Sequence, residues 1–227
     1  MCTFKITNYV GRHTTDDKLV LGGPDASNTI NIDGLYVTHH LLNVTGEQTL
    51  QPVESKGLFY LLLGEVYNYD DTLPSDIYHV INCYEKYSDD FLDHLDGEFL
   101  IIIIDSGVIK FFIDPWGTRQ IWFSKSDNYF YFGTYPLDSS KYNGQPTRLQ
   151  NNSQYNFDIK TKELVQINSE IHKWNLDQFK DSLDDVTFAL EEAIDKRYNP
   201  KSFLLLSGGV DSSVVAVRLA DTKKQIQ

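Results

Sequence analysis

Between Phe99 and Ile104 six apolar residues follow one another without a break, flanked by Asp96-Gly97-Glu98 and by Asp105-Ser106-Gly107. So short a run cannot span a bilayer, and its β-branched content suits a central strand covered on both faces. Related runs recur at Leu35 to Val37, Leu58 to Leu63, Val108 to Ile113, Gln120 to Phe123 and Tyr129 to Phe132. The turn signals Asp105-Ser106-Gly107 and Lys125-Ser126-Asp127-Asn128 predict hairpins, so the core is a multi-stranded sheet. From Asp76 to Leu95 the apolar residues Ile77, Val80, Ile81, Tyr84, Phe91, Leu92 and Leu95 follow a helical period, with Ser75 as the cap. That helix is expected to cover the sheet.

Residues 138 to 170 are polar, with short strand-like pieces between turn signals, and read as a domain edge. A helix is predicted over Asp181 to Tyr198 with Leu183, Val186, Ala189, Leu190, Ala193 and Ile194 inward. An apolar strand, Phe203 to Leu206, then leads into a glycine-containing loop and a further helix, Ser213 to Leu219. A chain of 227 residues holds one domain core and a fragment. The expected division is 2–170 for the first domain and 171–227 for the start of a second, incomplete one.

Thirty-two acidic against twenty basic residues give a formal charge of -12, with no basic cluster to follow a phosphate backbone, so nucleic acid is excluded as a partner. The start, Met1-Cys2-Thr3-Phe4-Lys5, lacks the apolar run of a signal peptide, and a cytoplasmic location with no membrane contact is expected. The two cysteines, Cys2 and Cys83, form neither a metal spacing nor a disulfide framework. The histidines add no metal-ligand spacing, and adjacent His39 and His40 on a strand point to opposite faces. Cys83 falls among helical apolar positions as a small core hydrophobe.

The loop Ser207-Gly208-Gly209-Val210-Asp211-Ser212-Ser213 sits where a strand would pass into a helix, which presents free backbone amides and a positive helix end to an anion. Its spacing is neither that of the Walker loop nor that of the dinucleotide fingerprint. It resembles the ATP-pyrophosphatase loop of asparagine synthetases and related adenylating enzymes. That resemblance implies that Ser207, Gly208, Gly209, Asp211 and Ser212 hold the pyrophosphate portion of ATP. Asp211 would help to place magnesium, and both cofactors would serve only within a complete synthetase domain.

With Met1 removed, Cys2 carries a thiol and a free α-amine on one residue, so the amine can take the thiol proton without a histidine. Around it run Gly23-Pro24-Asp25, Thr38-His39, Gln51-Pro52, Gly64-Glu65-Val66-Tyr67-Asn68, Ser75-Asp76, Phe91-Leu92-Asp93-His94-Leu95-Asp96-Gly97-Glu98-Phe99, and Asp114 with Gly117. These motifs resemble, in order, the class II glutamine amidotransferase domain of the asparagine synthetase family. The resemblance implies an α+β fold, the four-layer αββα sandwich of N-terminal-nucleophile hydrolases. It also implies attack by Cys2 on the glutamine amide, an oxyanion held by the Gly64 amide, and substrate contacts from Glu65 and Asp76.

Three positions depart from the family pattern. Gly22 replaces an arginine before Gly-Pro-Asp, Leu41 replaces the arginine expected to bind the glutamine carboxylate, and Leu63 replaces the asparagine that completes the oxyanion hole. Three readings follow: an amidotransferase component supplying ammonia, a non-catalytic domain docked to a synthetase, and an amidase for another amide. The expected partners are glutamine or a related amide, a synthetase subunit, and a second copy of the chain.

Overall fold

The computed structural model describes residues 2–11, 16–44, 46–70, 72–137, 145–177, 181–200 and 202–222. They form two compact units, 1–173 and 174–227.

In the first unit, alternating strands build two six-stranded antiparallel sheets. One contains β1 (Thr3–Thr7), β2 (Ala26–Ile32), β3 (Leu35–Leu41), β8 (Trp122–Lys125), β9 (Phe130–Gly133) and β10 (Thr147–Arg148), in the order β10-β8-β9-β1-β3-β2. The other contains β4 (Val53–Ser55), β5 (Leu58–Val66), β6 (Gly97–Asp105), β7 (Val108–Ile113), β11 (Ser153–Asp158) and β12 (Glu163–Asn168), in the order β12-β11-β7-β6-β5-β4. The apolar run from Phe99 is thus an interior strand buried on both faces, as its composition predicts. The predicted hairpins at Ser106-Gly107 and after Lys125 are present. Two-residue turns at Asp33-Gly34 and Lys56-Gly57 join β2 to β3 and β4 to β5; in both, positive φ at the two residues matches the strand twist.

Because side chains alternate across a strand, each sheet sorts its residues between two faces. Phe4, Ile6, Val37, Leu61, Leu63, Leu100, Ile102, Phe111 and Phe132 meet between the sheets. Tyr60, Leu62, Phe99, Ile101, Ile103 and Phe112 face outward from the second sheet, against Ile77, Val80, Ile81 and Cys83 of α2 (Asp76–Tyr87). A short helix, α1 (Asp16–Gly22), contacts β1 and β3 and contributes Leu19 to the core. The result is the α+β sandwich that the resemblance implies.

The predicted helix from Asp76 divides. After Tyr87, Ser88 adopts φ 50, and the chain continues as a 3-10 helix, Ser88–His94. Ser75 occupies the N-cap position with extended backbone, but its buried hydroxyl makes no capping bond.

The second unit holds α3 (Asp184–Arg197) and α4 (Val210–Asp221). Two expectations fail there. Phe203 to Leu206 form no strand, since a strand needs a ladder partner and none stands beside them among the described residues. Nor are the apolar residues of α3 inward: no residue of that helix is buried, and Leu183 and Val186 are exposed. No helix among the described residues is long and apolar enough to cross a membrane.

Candidate active site

Cys2 immediately precedes β1, whose first rung pairs Thr3 with His40. Alternation therefore turns Cys2 to the same side as Phe4 and Ile6, and the half-buried thiol packs against the core between the sheets. The end of β3 holds it: Leu42 N–H donates to Cys2 Sγ at 3.4 Å, and the thiol points back at the Leu42 carbonyl at 3.6 Å. Burial pushes the thiol pKa above its ordinary value, the Leu42 amide opposes this, and the carboxylates of Glu65 and Asp76 add to the rise.

Across the core, the inward face of β5 presents Leu61, Leu63 and then Glu65, which stands directly opposite Glu98 of β6. Gly64 has φ +135, and a Cβ there would lie 1.9 Å from the Glu98 carbonyl oxygen, so the close approach of β5 to β6 requires glycine. In this ladder, odd-numbered residues turn their backbone groups to the β6 side, as Tyr67 N–H does to Asp96 O at 2.7 Å. Even-numbered residues turn to the other edge. There Leu62 N–H donates to Gln51 Oε1 at 2.7 Å and Val66 N–H to Asp76 Oδ2 at 3.0 Å. Gly64 N–H lies between them, beyond β4, which pairs only with Leu58, Phe59 and Tyr60. A backbone donor on an open edge is what a developing oxyanion needs.

Asp76 is placed by the first turn of α2, whose apolar face is seated on the second sheet. Burial raises its pKa to about 6, the Val66 amide opposes the shift, and Glu65 reinforces it. Leu41 and Leu63, the two replaced positions, are both buried. Leu63 points into the core between the sheets rather than presenting a polar group.

Other residues at this end were quoted from the sequence only within motifs, without a role, and Arg119 was not among them. Arg119 forms an ion pair with Glu98 at 2.7 Å. Buried Asp114 accepts bonds from Phe99 N–H (3.0 Å), Trp116 N–H (2.7 Å) and the amide and hydroxyl of Thr118, which fixes the turn that delivers Arg119. Asp25 accepts from Asn43 N–H at 2.7 Å, just past Leu42. His39 is fully buried on the inward face, with both ring nitrogens lacking partners among the described residues, and burial lowers its pKa to about 4. An acid before Pro-Trp-Gly was the visible signal for the Asp114 turn; a strand pattern alone carries none for the Glu98 and Arg119 pair.

In the second unit, Ser207 Oγ lies 3.1 Å from Ser212 Oγ and accepts from Gly209 N–H at 3.3 Å, while Gly208 has φ +80. Ser207, Gly208, Gly209, Asp211 and Ser212 are at the open N-terminus of α4 and largely exposed. The described residues contain no group of three or more His, Cys, Asp or Glu side chains that could hold a metal ion.

No family model matches the chain. It is 27% identical over 231 residues to the glutamine-hydrolysing asparagine synthetase of Asparagus officinalis, an alignment covering 86% of this chain and 36% of that protein. The probable glutamine-hydrolysing asparagine synthetase of Dictyostelium discoideum is 26% identical over 235 residues, covering 86% and 39%. The chain is thus similar to glutamine-hydrolysing asparagine synthetases over 86% of its length. It spans little more than a third of the length of these relatives. Among solved structures, glutamine phosphoribosylpyrophosphate amidotransferase from B. subtilis superposes with TM-score 0.54 at 9% identity, covering 100% of this chain and 65% of that one. The fold is therefore that of the N-terminal-nucleophile glutamine amidotransferases.

Proposed function

We propose that residues 1–173 hydrolyse a side-chain carboxamide at Cys2, and that the ammonia released feeds an ATP-dependent amidation in a synthetase domain. Glutamine is the donor named for the relatives, and asparagine their product. The observation that carries this reading is the position of Cys2, between an amide that holds its sulfur and the end of β5 bearing Gly64, with Glu65 and Asp76 beside it.

In this mechanism Met1 is removed, and the freed α-amine accepts the thiol proton. Sulfur attacks the amide carbon, the C–N bond breaks, and the proton leaves with ammonia. Water then opens the thioester, releasing the acid and restoring the thiol. Gly64 N–H stabilises the oxyanion in both halves. With Leu63 in place of a side-chain donor, turnover is expected about 100- to 1000-fold below that of a site with two donors.

ATP with magnesium would supply an activated acceptor within a complete synthetase domain. The loop suits a pyrophosphate, since Gly208 meets nothing within 4 Å of a Cβ and the amides opening α4 are exposed. There Ser207, Gly208, Gly209 and Ser212 would bind the phosphates and Asp211 would orient the metal. We place the reaction in the cytoplasm, with a synthetase subunit and a second copy of the chain as partners.

Cys2→Ala should abolish ammonia release from glutamine while Cys83→Ala, altering a buried side chain of α2, retains it; intact mass should show Met1 removed. Equal activity in Cys2→Ala and wild type would rule this mechanism out. Complete inactivity of wild type, with the synthetase partner still bound, would favour a docking role, in keeping with the buried hydrocarbon side chains at Leu41 and Leu63.

A further inference from the structure

The end of the first unit away from Cys2 is built differently. Three two-residue turns gather there, Asp33-Gly34 from one sheet and Lys56-Gly57 and Ser106-Gly107 from the other. The second residue of each is glycine, and a Cβ built on Gly34, Gly57 or Gly107 meets nothing within 4 Å. The rim therefore stays open, and beneath it lies a cavity of about 820 Å³. Its floor is the end of the core between the sheets: Leu35 and Ile104, both buried, with half-buried Phe59. Asn8 lines the same cavity and stands beyond the far end of β1 from Cys2, roughly 20 Å of extended chain at about 3.3 Å per residue.

The polar lining favours one sign of charge. Asn8 is held at both ends, its Nδ2 donating to the Asn128 carbonyl and its Oδ1 accepting from Phe130 N–H, each at 2.9 Å. The amide of Gly34 is taken by Asn31 Oδ1 at 2.8 Å and that of Ile159 by the Gly107 carbonyl at 2.8 Å. Those donors are spent. Asp33, exposed at the rim, brings a carboxylate, and among the described residues no Lys, Arg or His lines the cavity with it. Lys56, beside Gly57, is paired with Glu85 at 2.6 Å. A site of this volume, with an apolar floor, acceptors at its rim and one carboxylate, fits a ligand with an apolar body and a donor-rich, positively charged head. The formal charge of -12 on the chain attracts such a ligand and repels an anion.

We propose that this cavity is a second binding site, for a small molecule with an apolar body and an ammonium head. The body rests on Leu35, Phe59 and Ile104, and the head meets Asp33. The site is independent of the chemistry at Cys2.

The test uses three probes of one shape, 4-phenylbutylamine, 4-phenylbutanol and 4-phenylbutanoate, titrated into the intact protein while the amide resonances of Gly34, Gly57 and Gly107 are followed by NMR. Saturable shifts are expected at those amides, with the amine binding about tenfold or more tighter than the carboxylate and the alcohol between them. Asp33→Asn, a change that tolerates the positive φ of the turn, should bring amine and alcohol to equal affinity. Ile159→Trp, which fills the cavity from one wall, should weaken all three, and Cys2→Ala should change none. Shifts centred elsewhere, no saturable shift with any probe, or a carboxylate that binds as tightly as the amine would overturn the proposal, as would an amine preference that survives Asp33→Asn. Each of these outcomes leaves Cys2 hydrolysis to be decided by ammonia release alone.

Discussion

Apolar side chains meet opposite fates in the two units. In residues 1–173, Leu61, Ile102, Phe111 and Phe132 are wholly withdrawn from solvent between two sheets. In residues 174–227, Leu183, Leu205 and Val210 are each at least three-quarters exposed, and among the described residues only Leu219 is buried. Both stretches are rich in such residues, so composition does not separate them. Layering does: a sheet face against a second sheet or helix encloses side chains from several directions, whereas two helices share one seam and leave the rest of each apolar stripe in water. Stability should therefore be concentrated in the first unit.

The sharpest break in that comparison comes from glycines. Gly64→Val should leave the first unit unable to fold, because its Cβ would sit 1.9 Å from a backbone oxygen at φ +135. Gly209→Ala, whose Cβ would meet only Ser207 Oγ at 3.4 Å with φ -75, should change stability by less than about 1 kcal/mol. Soluble expression and denaturant midpoints decide this; a folded Gly64→Val protein would refute the close approach of β5 to β6.

Next in size are large-to-small substitutions. Phe111→Ala should cost about 3–5 kcal/mol through the cavity it leaves between the sheets. Leu205→Ala, at an 80% exposed position, should fall within about 0.5 kcal/mol of wild type. Comparable losses at both sites would mean that the second unit is enclosed in solution.

The same contrast sets what could be read from the sequence. Strands with continuous apolar runs, such as Phe99 to Ile104, were legible because both faces are buried. β2, with its alternating exposure, carried only the Asp33-Gly34 turn as a signal, and it was passed over. Helical period placed α2 correctly but overran at Ser88, where a local φ of 50 breaks the helix and no apolar position marks the change. In the second unit, Phe203 to Leu206 have the composition of a strand, but strand formation depends on a neighbour that composition does not reveal. At the candidate site, Cys2, Gly64 and Asp76 were named from motifs. The Glu98 and Arg119 pair was not, since it joins a strand to a distant turn through space.

Acid titration separates two buried groups of the first unit. Asp76, with a folded pKa of about 6 against an ordinary 3.8, binds its proton more readily when folded, so its contribution improves as pH falls from about 6 to 4. His39, at about 4 against 6.5, resists protonation when folded, so its contribution is lost over nearly the same window. The two oppose each other, and wild-type stability should vary little between pH 4 and 6.5 on their account. Asp76→Asn should expose the histidine slope, losing about 1–3 kcal/mol on acidification, and His39→Gln should expose the opposite one. Melting temperature against pH for the three proteins measures it; parallel profiles would show that neither group is buried as described.

The smallest effect expected belongs to the seam of the second unit. Arg218 of α4 reaches Asp195 at 2.6 Å and Glu191 at 3.2 Å on α3, so one guanidinium bridges two carboxylates one turn apart. All three side chains are partly exposed, and solvent screening limits such a network to about 1 kcal/mol or less. Arg218→Met keeps much of the stem that packs between the helices and removes the charge, leaving Asp195 and Glu191 to repel each other. Helicity of residues 184–221 should fall slightly, and raising the salt from about 0.05 to 1 M should shrink the difference from wild type, since the Debye length contracts from roughly 14 to 3 Å. A loss that persists at high salt would assign the role of Arg218 to packing of its stem, and would make the α3–α4 seam more like the core of the first unit than its exposure suggests.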